Sequence, residues 1–309
     1  MRLALNFQAP ATEEALLRHT HGMELIKVPA QGALAGEVDV LLTPLVGTQP
    51  LAELLPKCQG LQWVHIFGTG ADTFPFGLAG DIKVSCSRGA SATAIAEWVL
   101  AMMLSFEKRL PQSWVSAPPA QWFLADLGGL EGKTLGLLGF GAIGQAIARR
   151  ALAFDMKVVA KVRQHRPSPM VGVTLVDSLE QVLGAADHLV LALSATAASR
   201  GLLGAEQLAM TQPGVHLVNV ARSGLIDQDA LRPLLDRGHI AMASLDVVEP
   251  EPLPAGHWLY AHPRVRLSPH ISWSAPGMVD RMLAIFLRNL EAFAQGRPLE
   301  GLVDVAAGY

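Results

Sequence analysis

The run Gly139-Phe140-Gly141-Ala142-Ile143-Gly144 stands between an apolar stretch, TLGLLG, and a helix-forming one, AIGQAIARRALAF, and that order leaves few folds open to the chain. Three glycines at this spacing between a strand and a helix each have a job. Gly139 permits the tight turn, Gly141 lets the backbone approach a pyrophosphate, and Gly144 lets helix and strand pack closely. The free N–H groups of the first helical turn, from Ala142 onward, then face the phosphates together with the positive end of the helix dipole.

The alternation continues downstream through KVVAKV, SLEQVLGAA, HLVLAL and VHLVNV, with further strands expected at 242–245 and 264–267. Short apolar runs alternating with amphipathic ones predict a doubly wound parallel sheet. Ser178 with Gln181 is spaced as a capping box, and Asp227 is placed to cap the helix running into Ala230 and Leu231. The first hundred residues repeat the pattern on a smaller scale, with strands expected in RLALN, VDVLL and LQWVHI. A long helix is expected over 91–108, able to bridge the two units, and another over 276–294.

Composition narrows the function classes. Of 309 residues half are apolar, and 24 basic against 27 acidic side chains leave a formal charge of −3 without long runs of one sign. Neither nucleic acid nor a membrane surface is implied as a partner. Cys58 and Cys86 have no metal-ligand spacing, so both are expected to be reduced packing residues, with no metal bound. No signal-peptide pattern opens the chain and no apolar run reaches bilayer length, so a cytoplasmic location is expected.

The segment after the second strand of the larger unit reads Lys161-Val162-Arg163-Gln164-His165-Arg166. A carboxylate at that place would accept hydrogen bonds from an adenosine ribose. None is present, whereas Arg163 and Arg166 can pair with a 2′-phosphate. NADP(H) is therefore the preferred cofactor, with NAD(H) possible.

Three later segments present an ionisable group just past an apolar run: VNVARSGLID with Arg222, SLDVVEPEPLP with Asp246, Glu249 and Glu251, and VRLSPHISWS with His270. Ligands bind outside the carboxyl ends of strands in open α/β sheets. Carbonyl reduction needs a cation to polarise the carbonyl, a proton donor working near neutrality and a carboxylate beside that donor. Arg222, His270 and Glu251 form such a set.

The blocks FGTGAD (67–72), GASATAIAEWVLAMML (89–104), GLEGKTLGLLGFGAIG (129–144), NVARSGLIDQDAL (219–231), SLDVVEPEPLP (244–254) and SPHISW (268–273), in this order and spacing, resemble the D-isomer-specific 2-hydroxyacid dehydrogenase family over nearly the whole chain. The resemblance implies two Rossmann-like domains. A doubly wound cofactor domain, residues 101–284, is inserted in a smaller flavodoxin-like substrate domain, residues 1–100 plus 285–309. It implies hydride transfer between NAD(P)H and a small 2-oxo acid of the glyoxylate or hydroxypyruvate type, giving a D-2-hydroxy acid, with the cleft between the domains closing on ligand.

By the same resemblance Arg222 binds substrate, His270 donates the proton and Glu251, five residues after Asp246, is its partner. Asp246 would lie by the nicotinamide, with Ala221 beside the cofactor, and Leu193, Ser194 and Thr196 would line the adenosine, although ALSATAAS lacks the proline and acid common in that loop. Backbone amides of Gly68, Thr69 and Gly70 would cradle the substrate carboxylate. Glu97 would be structural or interdomain, and a homodimer through the cofactor domain is implied. Trp273, Trp122 and Phe123 are candidates to set pocket size, Trp273 either narrowing it toward small acids or stacking on a bulkier one. A dinucleotide-sensing binding protein on the same fold is the alternative from another class, and no added interaction tail is expected here.

Overall fold

The computed structural model describes residues 1–305 apart from Thr20, His21, Ala33, Ala35, Leu45, Leu124 and His165, with Ala11 described by its backbone alone. The chain forms two compact units, residues 1–91 with 275–309 and residues 92–274.

The larger unit contains strands β6 (Thr134–Leu138), β7 (Lys157–Lys161), β8 (Val173–Val176), β9 (His188–Leu191), β10 (Val215–Asn219), β11 (Ile240–Leu245) and β12 (Val265–Leu267). They make one parallel sheet in the order β12-β11-β10-β9-β6-β7-β8. Chain order reverses between β6 and β9, the switch point at which such sheets bind ligands. Helices α3 (Ala92–Glu107), α4 (Ala142–Leu152), α5 (Leu179–Ala185), α6 (Ala205–Ala209), α7 (Gln228–Asp236) and α8 (Trp258–Ala261) belong to this unit. The central strands are largely apolar on both faces because both are covered. Leu189, Leu191 and Leu217 join one core with Val182 and Leu231, while Val190 and Val218 join another with Ile95, Val99 and Ile147. The expected caps are present: Ser178 Oγ accepts from Gln181 N at 3.1 Å, and Asp227 from the amides of Asp229 and Ala230.

The smaller unit holds β1 (Arg2–Leu5), β2 (Glu24–Lys27), β3 (Val40–Thr43), β4 (Trp63–Ile66) and β5 (Lys83–Cys86), parallel in the order β2-β1-β3-β4-β5, a flavodoxin-like order. Its helices are α1 (Pro10–His19), α2 (Leu51–Leu54) and α9 (Met278–Ala294). After α9 the chain returns along β5, where Leu302 bridges Ser85 and Val303 N bonds Val84 O at 2.9 Å.

The unit boundaries fall outside α3 and α9, whereas divisions after 100 and before 285 would cut both helices. Each helix buries a continuous face in one core: Ile95, Ala96, Val99 and Met103 of α3 pack with Leu135 and Leu137, and Leu283, Phe286 and Leu290 of α9 with Leu3, Leu5 and Trp63. α3 therefore belongs whole to the larger unit. Three strands, β2, β5 and β8, were not expected from sequence, and all three are sheet edges. Their sequences, ELIK, KVSC and VTLV, lack the unbroken apolar runs of the central strands because an edge has less to bury.

His65 in β4 is buried within a closed network. The Trp63 indole donates to Ser85 Oγ at 2.9 Å, and the His65 ring nitrogens meet Ser85 Oγ at 2.8 Å and Ser87 Oγ at 3.0 Å. Burial pushes the imidazole pKa down to about 3, from an ordinary 6.5. The unfolded chain thus binds the extra proton between these values, so the stability from neutral His65 is complete above the ordinary value and is lost as pH falls toward 3. Between pH 7 and pH 5 the loss from this group is expected to be about 2 kcal/mol. Urea titrations of the unaltered chain and of His65→Asn at both pH values check this, the variant showing a correspondingly shallower pH dependence.

Candidate active site

The turn after β6 satisfies the demands its glycines imply. Gly139 has φ +102°, and a Cβ there would come within 2.7 Å of the Ala192 carbonyl oxygen and 2.9 Å of Leu193 Cα, across the switch point. A Cβ on Gly144 would overlap the Gly139 carbonyl oxygen. Both glycines are required by the fold itself. Gly141 differs: it caps α4, and a Cβ there would meet nothing within 4 Å. Packing does not require glycine at 141, whereas close approach of a phosphate to the backbone does. The first-turn amides of Ala142, Ile143 and Gly144 have no acceptor within α4. The cradle fits a dinucleotide pyrophosphate.

The basic segment starts beside this turn. Gly139 N donates to Lys161 O at 3.3 Å, so the chain leaving β7 emerges next to the glycines, and Arg163 and Arg166 are exposed on it. His165 lies outside the described residues. After β9, Ser199 closes the loop holding Leu193, Ser194 and Thr196. Its hydroxyl takes the Thr196 amide at 2.8 Å and donates to Ser194 O at 3.1 Å.

Arg222, Glu251 and His270 follow the carboxyl ends of the adjacent strands β10, β11 and β12. His270 Nδ1 lies 2.9 Å from Glu251 Oε2. A carboxylate can only accept, so Nδ1 carries a hydrogen and Nε2 is the ring atom left for other chemistry. Glu251 Oε1 meanwhile takes the Val248 amide at 3.1 Å, pinning the carboxylate to its own loop. Gln228 steadies that loop from α7, its amide donating to Glu249 O at 2.8 Å.

Asp246 has a task that the sequence did not reveal. It is 1% exposed, and its carboxylate takes the Ser268 hydroxyl and the Ile271 amide on one oxygen and the Ser272 amide on the other. Its own carbonyl takes the His270 amide at 2.9 Å. Asn219 does comparable work one strand over: its side chain accepts from Ala221 N at 3.0 Å and donates to Arg222 O at 2.9 Å. Asn219 and Asp246 stand in blocks quoted above, yet nothing in their spacing indicates that they read the backbone a few residues or a whole strand away.

The loop after β4 belongs to the smaller unit. Gly68 N donates to Ile66 O at 2.8 Å, so its amide is occupied in a tight turn, contrary to its expected place in an anion cradle. Ser87 N holds Gly68 O at 2.8 Å, and Ser91 Oγ meets Thr69 Oγ1 at 3.4 Å. Among the described residues the amides of Thr69 and Gly70 have no protein acceptor.

Trp122 and Phe123 are exposed, and Glu97 pairs with Arg150 of α4 at 3.4 Å inside the larger unit. A cavity of about 520 Å³ is lined by Glu107, Arg109, Lys133 and Arg266, away from the loops described above. Its charged side chains already have protein partners. Glu107 bonds Lys133 at 2.5 Å and His188 at 2.9 Å, Arg109 pairs with Asp126 at 3.2 Å, and Arg266 bonds the carbonyls of Pro263 and Val265. Burial alone would raise the Glu107 carboxyl pKa, but bonds from His188 and Lys133 outweigh it and hold the pKa low.

Residues 100–272 match the family described as D-isomer specific 2-hydroxyacid dehydrogenase, NAD binding domain. A D-3-phosphoglycerate dehydrogenase of Bacillus subtilis is 34% identical over 267 residues, 84% of this chain and 50% of its own length, so the chain spans half of that relative. A glyoxylate reductase of Thermococcus litoralis is 32% identical over 300 residues, covering 90% of this chain and 88% of its own. Among solved structures, the NADPH-dependent glyoxylate/hydroxypyruvate reductase of Sinorhizobium meliloti, in complex with NADP and sulfate, superposes with a TM-score of 0.85 at 27% identity, over 100% of this chain and 99% of that one.

The glycine turn separates fold from binding. Gly144→Ala is expected to lower stability by about 2 kcal/mol or more, since backbone must move to admit the methyl group. Gly141→Ala should cost about 1 kcal/mol or less, as a helix cap, yet weaken dinucleotide binding at least tenfold. Denaturant midpoints and nucleotide fluorescence titrations on the two variants measure both effects.

Proposed function

We propose, for a chain that belongs to the D-isomer specific 2-hydroxyacid dehydrogenase family, that it reduces a small 2-oxo acid of the glyoxylate or hydroxypyruvate type to the D-2-hydroxy acid, with NADPH preferred over NADH. The observation that carries this reading is the His270–Glu251 pair at the carboxyl end of the sheet, with Nδ1 committed to the carboxylate and Nε2 available. When bound, the nicotinamide supplies a hydride. His270 holds the proton at Nε2 and delivers it to the carbonyl oxygen as negative charge grows there. Glu251 keeps the ring oriented, holding Nδ1 to its carboxylate so that Nε2 faces away from it. The Arg222 guanidinium binds the acid and opposes the developing charge on oxygen.

Gly139, Gly141, Ala142, Ile143 and Gly144 would hold the pyrophosphate, and Leu193, Ser194, Thr196 and Ala221 would line the nucleotide. Asp246, while anchoring the histidine loop, would lie beside the nicotinamide. Thr69 and Gly70 amides would take the substrate carboxylate. Arg163 and Arg166, on the segment that leaves the sheet beside Gly139, would bind the 2′-phosphate. A homodimer assembled through the larger unit completes the proposal.

Absorbance at the reduced-nicotinamide band, followed with a panel of 2-oxo acids and either cofactor, tests the reading. Signal should fall fastest with NADPH and the small acids. His270→Ala should lower turnover by roughly 10²–10⁴-fold with cofactor affinity kept. Retained turnover would remove His270 from the role of proton donor. Replacing both Arg163 and Arg166 with Ala should raise KM for NADPH and leave that for NADH nearly unchanged; equal effects on both would contradict the 2′-phosphate assignment.

A further inference from the structure

His270 is among the few non-glycine residues in the left-handed region, with φ +54°. Residues bearing a Cβ rarely adopt this conformation, and they hold it only where their surroundings fix it. On the amide side Asp246 does so. Its carbonyl takes the His270 amide, and its carboxylate takes the next two amides and the Ser268 hydroxyl. The carbonyl side is held by a different residue: Trp273 Nε1 donates to His270 O at 2.8 Å.

An indole N–H can only donate, so the direction of this bond is unambiguous. Trp273 is 44% exposed, unlike a core aromatic, and its apolar area alone does not account for it. His270 and Glu251 stand on separate loops, after β12 and β11, and meet through a single contact at 2.9 Å. Asp246 Oδ1 holds the nitrogen of the peptide that follows His270, through the Ile271 amide, and so fixes one side of the link on which the histidine sits. The indole bond restrains that peptide from its oxygen side.

We infer that Trp273 is a positioning residue for the proton donor: its indole N–H locks the His270 carbonyl, and so keeps the imidazole in register with Glu251. This inference rests on the reading of His270 given above. It gives Trp273 a task other than shaping the pocket. A residue that only walls the pocket would act through its bulk, whereas a positioning residue acts through its N–H.

The test separates bulk from N–H in the full-length protein. Trp273→Phe keeps an aromatic ring without the donor, and benzothienylalanine incorporated in place of Trp273 keeps the bicyclic shape with sulfur where the N–H was. Both variants should lower kcat about tenfold, the scale of one lost hydrogen bond. KM for the 2-oxo acid and the order of preference among acids of increasing length should stay unchanged, and the solvent deuterium isotope effect on kcat should rise as proton transfer becomes more limiting. Wild-type kcat in the benzothienyl protein would overturn the inference, as would an altered chain-length preference with kcat for the smallest acid retained. His270→Ala measured alongside distinguishes the two levels. If it keeps turnover, the proton-donor reading and the inference fall together; if it loses turnover while both Trp273 variants keep theirs, only the inference falls.

Discussion

A buried carboxylate, that of Asp246, organises the carboxyl edge of the larger sheet. Burying a charged group is costly unless it is well hydrogen-bonded, and Asp246 finds three donors in the histidine loop. The requirement works in both directions. The carboxylate is stable only with the 268–272 segment folded over it, and that segment is held in its unusual turn, with left-handed His270, by the same carboxylate together with the Asp246 carbonyl and the Trp273 indole. Asp246 N also bonds Asn219 O at 3.0 Å, carrying the ladder one residue past the end of β11 and linking the strand that leads to the Arg222 loop to the same anchor.

This arrangement depends on the parallel sheet beneath it. All strands of a parallel sheet end on the same side, so the loops after β10, β11 and β12 leave from one edge as a consequence of topology. The glycine turn after β6 and the loop after β9 leave from that edge too, on either side of the point where chain order reverses. One edge therefore presents the glycine turn, the basic segment and the His270–Glu251 contact. Rigid strands set the loop origins, and buried polar groups such as Asp246 and Asn219 set the loop shapes.

Much of this was legible in the sequence, for identifiable reasons. Central strands bury both faces and read as apolar runs; Gly139 and Gly144 have backbone atoms where a Cβ would go; Ser178 and Asp227 cap helices at fixed offsets. Edge strands such as β8 were not legible, since burial on an edge leaves a weak pattern. Within the site, His270 could be singled out by residue type and Glu251, rather than Glu249, by the family resemblance, and the structure brings the two into contact. The supporting roles of Asp246, Asn219, Gln228 and Ser199 could not, because a side chain that reads a distant backbone group leaves no periodicity. Gly68 shows the opposite case: its composition suits an anion cradle, but its amide is taken by a turn only three-dimensional structure reveals.

The central claim is that this edge directs a hydride onto the carbonyl carbon of a 2-oxo acid while His270 protonates the oxygen, giving one enantiomer. The most direct measurement follows deuterium from NADPH labelled at nicotinamide C4 into product, with hydroxypyruvate as acceptor and the glycerate resolved by chiral chromatography and mass spectrometry. The account predicts D-glycerate carrying the deuterium at C2 when the transferred face of the nicotinamide is labelled. Glycerate without deuterium from either labelled face, or the L enantiomer, would contradict it.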